Sequence, residues 1–412
     1  MSYKGRKRAG SIQVFTEGIE NDRQHHLTSA FQPQTPMGSG NNTPRSGSPA
    51  YFKKKPALHE QASWFMKWAV DPVAAFKVLI TPVLGYVAYE ATASAGVSLP
   101  FPNPFAPFLF VQHRVPGSPD SDPRYQKGVL DFVLIAYYIV FWSLCRILIA
   151  GRLFTRIGRF YGLKKEGKLD RVGEQGYAIV YYTASGLWGL RIMSQLPIWW
   201  YRTEEFWLGY PHWDMIPELK QFYLMQSAHW LHELMIMVLG FEKPRKDFAE
   251  LVAHHAVTLW LVGWSYLINL THIGISVFVS MDIPDVLLAL SKLLNYLQFP
   301  RAKVAVFVVF FGVWSYFRHW LNLVILHSVW TEFDLIPEIH RRWAPPTGAW
   351  LTWWMKYQIF APILLLQILN LFWYYLMWRI LIRAIRTAGE ASDVRSDDED
   401  DGEEEEEGAK EK

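Results

Sequence analysis

Eight apolar runs, each about the twenty residues a helix needs to cross the roughly 30 Å hydrocarbon core of a bilayer, fill the middle of this chain. They lie at 72–94, 129–150, 176–200, 219–240, 250–270, 273–297, 303–327 and 355–382. Each is too long for a strand, and in lipid only helices and closed barrels satisfy their own backbone groups. The expected fold class is an all-α integral membrane protein of about eight transmembrane helices. The mean hydropathy of +0.04 hides this, because two polar tails dilute an apolar middle. Residues 1–55 are rich in Gly, Ser, Pro and basic side chains and are expected to be a disordered tail. No signal-peptide pattern is seen there. Residues 389–412, with an acidic run from Asp397 to Asp401 and another from Glu403 to Glu407, are expected to be a second disordered tail. Between the tails, 56–167 hold the first two spans and 168–388 the other six. Cys145 is the sole cysteine, which excludes an internal disulfide, a Cys-based zinc site and a Cys–Cys redox pair.

The connections test the count of eight. Lys53, Lys54 and Lys55 precede the first span; Arg152, Arg156, Arg159, Lys164, Lys165, Lys168 and Arg171 follow the second. Lys243, Arg245 and Lys246 follow the fourth, Arg301 and Lys303 the sixth, Arg383 and Arg386 the eighth. With eight spans every basic connection falls on one side, so the positive-inside rule places both termini in the cytosol. The opposite connections are aromatic. One interleaves Pro100, Pro102, Pro104 and Pro107 with Phe; another holds Trp330, Trp343, Trp350, Trp353 and Trp354. They are expected to rest on the luminal membrane surface.

Ionisable groups at membrane depth are costly and mark function by default. Spans five and six concentrate them. His254 and His255 open span five; His255, Thr258, Val262, Ser265 and Asn269 follow at steps of three and four and are expected to share a helix face. In span six Asp282, Asp285, Lys292 and Asn295 form a second stripe, with Pro284 expected to kink the helix and free a carbonyl. A very short turn joins the spans, so they run antiparallel. At about 1.5 Å per residue the His pair and the Asp pair then lie within about a turn of the same depth. Weaker candidates for the cavity wall are Gln226, His229, His232 and Glu233 in span four, and Arg318, His319 and Asn322 in span seven. Arg191 near the luminal end is expected to snorkel.

A buried neutral imidazole serves as base or nucleophile, and a nearby carboxylate orients it and stabilises its cation. Acyl transfer from a thioester needs that equipment and no metal. An amine would be the acceptor, and an apolar tunnel would hold the acyl chains.

The stretch 245–299 is more specific than this. Its Arg245-Lys-Asp-Phe-Ala-Glu-Leu-Val-Ala-His254-His255-Ala-Val-Thr258, Ser265-Tyr266, Gly274, Met281-Asp282-Ile-Pro-Asp285 and Leu290-Ser291-Lys292-Leu-Leu-Asn295-Tyr296 resemble the signature of ceramide synthases, the longevity-assurance members of the TLC-domain family. The resemblance covers about 170–385. It implies N-acylation of a sphingoid base by acyl-CoA in the endoplasmic reticulum membrane, with acyl-CoA as substrate and no cofactor. It maps the essential residues onto His254, His255, Asp282 and Asp285, and implies that spans three to eight form a helical barrel around a lipid cavity, with spans one and two outside it. Many animal members carry His, Arg and Glu where this chain has Met281, His272 or its neighbourhood, and Ala289. These departures match the fungal branch. That branch implies very-long-chain acyl-CoA, a dihydrosphingosine or phytosphingosine acceptor, a small single-span regulatory subunit and dimerisation with itself or a paralogue; nucleic acid is not among the implied partners. The motif Ser396-Asp-Asp-Glu in the acidic tail is an expected phosphorylation site.

Three other classes fit less well. A histidine-box di-iron hydroxylase needs more His clusters than His229-x-x-His232 and His254-His255. A non-catalytic TLC-family lipid sensor or transporter needs a cavity but neither the His pair nor both Asp. A proton-coupled carrier would be expected to show an inverted repeat, and none is visible.

Overall fold

A computed structural model describes residues 64–239 and 248–386. Both tails and the Lys243, Arg245 and Lys246 connection lie outside the described residues. The described residues contain eight long helices: α1 (Pro72–Ser94), α2 (Asp131–Leu148, continued by a π turn Ile149–Phe154 and a last helical turn Thr155–Phe160), α3 (Glu166–Gln195), α4 (Pro217–Val238), α5 (Phe248–Leu267), α6 (Thr271–Tyr296), α7 (Pro300–Trp314, π turn Ser315–Leu321, then Asn322–Thr331) and α8 (Met355–Arg386). Five of them, α1, α2, α6, α7 and α8, are long and apolar enough on their own to cross a membrane. The expected all-α membrane architecture is what the chain adopts.

Helix ends follow local chemistry. Asp71 caps α1, its carboxylate accepting from the Val73 N–H at 3.0 Å, with Pro72 in the first turn. Pro217 and Pro300 likewise open α4 and α7. α3 differs most from expectation: it begins ten residues before the apolar run at 176 and stops at Gln195. Residues 166–175 are polar yet helical, and Pro197 prevents the helix from continuing to 200.

Helix contacts close a ring in the order α3–α4–α5–α8–α7–α6 and back to α3. This is the six-helix barrel expected of spans three to eight. Gly186 and Gly189 set the tight α3–α6 seam: a Cβ at Gly189 would sit 2.7 Å from the Val279 side chain, and one at Gly186 3.3 Å from Ile283. Small residues let membrane helices approach this closely. α2 lies against α4, and its π turn against α3.

The aromatic connections do more than rest on a surface. Trp207, Tyr210, Met215, Phe333 and Leu351 are buried in the main core, while Trp330, Trp343, Trp353 and Trp354 stay exposed as an interfacial belt would. Together these segments cap one end of the barrel. Tyr210 donates to the Ile268 carbonyl at 3.0 Å and accepts from the Trp350 N–H at 3.0 Å. At the α5–α6 turn Asn269 adopts φ 64° and donates to the Gly348 carbonyl at 2.9 Å; it is a turn residue, so the predicted helical stripe ends at Ser265. Lys127, whose ammonium burial pushes down to about 8, donates to the carbonyl of Leu267 at the negative end of α5. Lys220 Nζ meets Asp131 Oδ1 at 2.8 Å and donates to the Gln112 and Gln126 carbonyls; Asp131 Oδ2 accepts from Tyr266 at 2.8 Å. That network ties α2, α4 and α5 at the capped end. Arg191 pairs with Glu218 in an exposed ion pair, as a residue at a helix end does.

Candidate active site

Two cavities meet inside the ring. Towards the capped end lies an apolar chamber of about 60 Å³, closed by Ile268, Leu270, Ile273 and Gly274 of the α5–α6 turn. A Cβ at Gly274 would fall 1.6 Å from the Tyr223 hydroxyl, so only glycine fits that corner. Towards the other end lies a polar vestibule of about 260 Å³. His254, Asp285, Arg318 and Trp230 border both cavities.

α5 presents His254, Thr258, Leu261 and Ser265 to the apolar chamber, a spacing of four, three and four, with Val262 beside them. The expected face was drawn through His255. One residue is 100° of helical rotation, and the structure puts His254 on the chamber face and His255 on the vestibule alone. The two rings are perpendicular, with centroids 5.8 Å apart. Trp230 packs edge-on against both, and Trp373 of α8 against His254 at 5.3 Å. His255 Nδ1 lies 2.8 Å from the Leu251 carbonyl. A carbonyl only accepts, so Nδ1 carries the proton and Nε2 keeps its lone pair. Nδ1 of His254 is buried with no protein partner.

α6 supplies the carboxylates from the opposite side of the ring. Asp285 Oδ2 takes Arg318 at 2.7 Å. The same guanidinium donates to the Met281 carbonyl at 2.8 Å and to Asn370 at 3.3 Å, and stacks over Trp314 at 4.2 Å. Arg318 sits in the π turn of α7, a wide turn of the kind that recurs at functional sites. Asp282, buried, has other partners. Its Oδ2 accepts from Ser185 at 2.5 Å and from Gln226 Nε2 at 3.2 Å, while Tyr181 donates to Gln226 Oε1. Among the described residues neither carboxylate hydrogen-bonds either imidazole, so the expected orienting bond from Asp to His is absent here. α6 runs unbroken through Pro284.

The remaining candidates divide. His229, Glu233 and Lys292 line the vestibule, and Thr258 and Ser265 the chamber. His229 stacks on Tyr181 with ring centroids 3.5 Å apart. Gln226 acts behind the wall, through Asp282. Asn295 and His319 are turned elsewhere: Asn295 Oδ1 accepts from Lys303 at 2.9 Å, and His319 Nδ1 lies 2.7 Å from Gln367 Nε2. His232 contacts Ser143 at 3.0 Å, and Asn322 donates to Gln367 at 2.7 Å. Met281 packs with Val257 and Leu366 between α5 and α8, and Ala289 lines the vestibule. Ser396 lies outside the described residues. Two groups were not expected. Ser185 carries no charge to flag it. Arg146, from a span expected to lie outside the core, reaches the vestibule and pairs with Glu233 at 3.5 Å. Among the described residues no three His, Cys, Asp or Glu side chains gather as a metal site would require.

The family model described as the TLC domain matches residues 171–379, which span this ring of six helices with its His pair and Asp pair. The chain belongs to that family, and the match agrees with the 170–385 read from the motifs. It is 38% identical over 301 residues to sphingosine N-acyltransferase lac1 of Schizosaccharomyces pombe, covering 73% of this chain and 77% of that protein. It is 36% identical over 310 residues to ceramide synthase LAG1 of Saccharomyces cerevisiae, covering 75% and 74%. Ceramide Synthase FUM18 of Gibberella moniliformis is 28% identical over 330 residues, covering 74% and 75%.

Proposed function

We infer that this membrane protein is a ceramide synthase, an acyltransferase that moves a fatty acyl group from acyl-CoA to the amine of a sphingoid base. The observation that carries this is the placement of His254: it stands where a polar vestibule meets an apolar chamber, opposite two carboxylates. A thioester carbonyl held there has its CoA portion on the vestibule side and its acyl chain among apolar side chains. The resemblance to the fungal branch extends the reading to a very-long-chain donor and a dihydrosphingosine or phytosphingosine acceptor.

The site residues fall into distinct roles in this reading. His254, whose ring nitrogen has no internal partner, attacks the thioester carbonyl. The C–S bond breaks, the acyl group stays on the imidazole, and CoA leaves through the vestibule. The amine then attacks the acyl carbon, the C–N bond to imidazole breaks, and the amine's surplus proton passes to His255, whose Nε2 lone pair is fixed by the Leu251 bond. Two long chains then need not share the chamber. The Asp285–Arg318 pair holds a compact neutral charge beside the reacting carbon. The reaction runs without metal, since imidazole and carboxylate suffice for a thioester with a good leaving group.

The basic connections favour eight spans with both termini cytosolic, in the endoplasmic reticulum membrane. Family resemblance extends the reading to a small single-span subunit and to dimerisation with itself or a paralogue, and the acidic residues after Ser396 extend it to phosphorylation there. The competing reading is a non-catalytic lipid sensor or transporter of the same family; such a protein has no need of the His pair at the cavity junction. The test is intact mass of the purified chain incubated with acyl-CoA alone. An acyl adduct absent in His254→Ala and discharged by sphingoid base is expected. No adduct, with full activity in both His254→Ala and His255→Ala, overturns the assignment.

A further inference from the structure

We propose that Asp282 is the seat of the amino-alcohol head of the sphingoid base, and that Ser185 and Gln226 are positioning residues that aim it. This rests on the ceramide synthase reading and assigns its second substrate a place.

The two carboxylates of α6 are not equivalent. Asp285 is neutralised by Arg318 at 2.7 Å. Asp282 has no cation within 4 Å among the described residues, although it is 1% exposed and lines an apolar chamber. A buried carboxylate without a counter-ion is costly, and such groups persist in membrane helices where they meet a substrate or ion. The donors around it are also one-sided. Ser185 and Gln226 both converge on Oδ2, leaving Oδ1 with no donor among the described residues. Gln226 is held by Tyr181, which donates to its Oε1 and so turns its amide N–H groups towards Ser185 and Asp282. The result is a carboxylate fixed in direction by three neighbouring side chains from α3 and α4, with one oxygen unsatisfied.

The chemistry that fits is a cation with an adjacent hydroxyl. A sphingoid base brings a primary ammonium with hydroxyls on the neighbouring carbons, attached to an apolar chain. Acyl-CoA brings no cation, and its phosphates would be repelled by Asp282. The seat lies on the chamber side, where Asp282 and His254 line the same chamber from opposite sides. An ammonium at Oδ1 gives one proton to the Asp282 carboxylate, and the neutral amine so formed attacks the acyl carbon held across the chamber. Asp282 is counter-ion to the incoming amine, and the acylation of His254 does not depend on it.

The experiment uses the full chain in nanodiscs and two probes: an N,N-dimethylated sphingoid base, which keeps the cation, and the matching neutral diol lacking nitrogen. Each is measured as an inhibitor competitive with sphingoid base, and by direct calorimetric binding. Wild type is expected to bind the cationic probe about 10- to 100-fold more tightly than the diol, the range for a charge-assisted hydrogen bond. In Asp282→Asn that preference should collapse to less than about 3-fold, while the acyl adduct on His254 still forms from acyl-CoA. In Ser185→Ala the KM for sphingoid base should rise several-fold with the KM for acyl-CoA unchanged, and Ser185→Thr should restore it in part. A preference that persists in Asp282→Asn overturns the proposal, as does a Ser185→Ala variant in which only the KM for acyl-CoA rises. Failure of the adduct in wild type bears on His254 and the covalent route instead, because calorimetric binding of the probes needs no turnover.

Discussion

Replacing Lys220 by Met should unfold the capped end, and its magnitude follows from what the ammonium touches. Lys220 is fully buried, 2.8 Å from Asp131 Oδ1, and donates to the carbonyls of Gln112 and Gln126. Met fills a similar volume but leaves Asp131, itself 4% exposed, as a buried carboxylate without a cation. Breaking one side of a buried pair costs about 3–5 kcal/mol, and two carbonyls left without donors add to it. Thermal unfolding of the purified chain in detergent, followed by Trp fluorescence, should fall by about 10 °C. The second half of the test removes the charge that Lys220 balances. Asp131→Asn keeps an oxygen to accept from Tyr266 and the Gly128 N–H, both of which bond Asp131 in the parent. The double variant Lys220→Met with Asp131→Asn should therefore be more stable than Lys220→Met alone, with a coupling of about 2 kcal/mol. If the double variant loses the sum of the two single losses, the pair does not act as a unit and the reasoning fails.

Three further outcomes are expected. Arg318→Met should abolish turnover, and Arg318→Lys should not restore it, because one ammonium cannot reach Asp285, the Met281 carbonyl and Asn370 together; near-normal kcat in the Lys variant would contradict this. Exhaustive chelation of the purified chain should leave ceramide formation within about 2-fold of the untreated rate, since no step assigned above calls on the Lewis acidity of a metal; activity lost to the chelator and restored by one metal would reverse that view. A C-terminal tag should be cleaved by protease added outside sealed microsomes, and a protected tag would refute the eight-span topology.

Much of this site was legible because membrane insertion makes polar residues expensive, so those that remain stand out. His254, His255, Asp282, Asp285 and Arg318 were all visible on that ground; His254, Asp285 and Arg318 come together at the cavity junction, with His255 on the vestibule side and Asp282 on the chamber side. What periodicity lacks is the resolution to separate neighbours on a helix. His254 and His255 differ by 100°, and a stripe drawn through His255 at steps of three and four is nearly as regular as one drawn through His254. The true face was fixed by the ring order, in which α5 meets α4 on one side and α8 on the other, and ring order is a long-range property. Ser185 was invisible for a different reason. Serine is common in membrane helices as a partner of backbone carbonyls, and only the α3–α6 seam, tightened at Gly186 and Gly189, brings it to Asp282. Arg146 lies in α2, a span expected to lie outside the family barrel. Yet α2 packs along α4, and that contact delivers Arg146 to Glu233.

The site also sits against a helix that departs from regular geometry. Pro284 has no N–H for the Ser280 carbonyl, yet α6 runs unbroken through it. Directly across from it α7 widens into the π turn Ser315–Leu321. That turn carries Arg318, whose guanidinium reaches the Met281 carbonyl on one arm and Asp285 on the next. A regular α7 would turn the side chains that follow Ser315 to a different angle about the axis, since a π turn holds more residues than an α turn. α7 thus gives α6 a donor at the Met281 carbonyl, and the same residue neutralises one of the two carboxylates. With Asp285 so engaged, the second carboxylate is the one left to meet a substrate cation. That asymmetry, set by the partners each carboxylate meets rather than by the spacing Asp-x-x-Asp, is why two identical side chains three residues apart on one helix are given different parts in the proposed reaction.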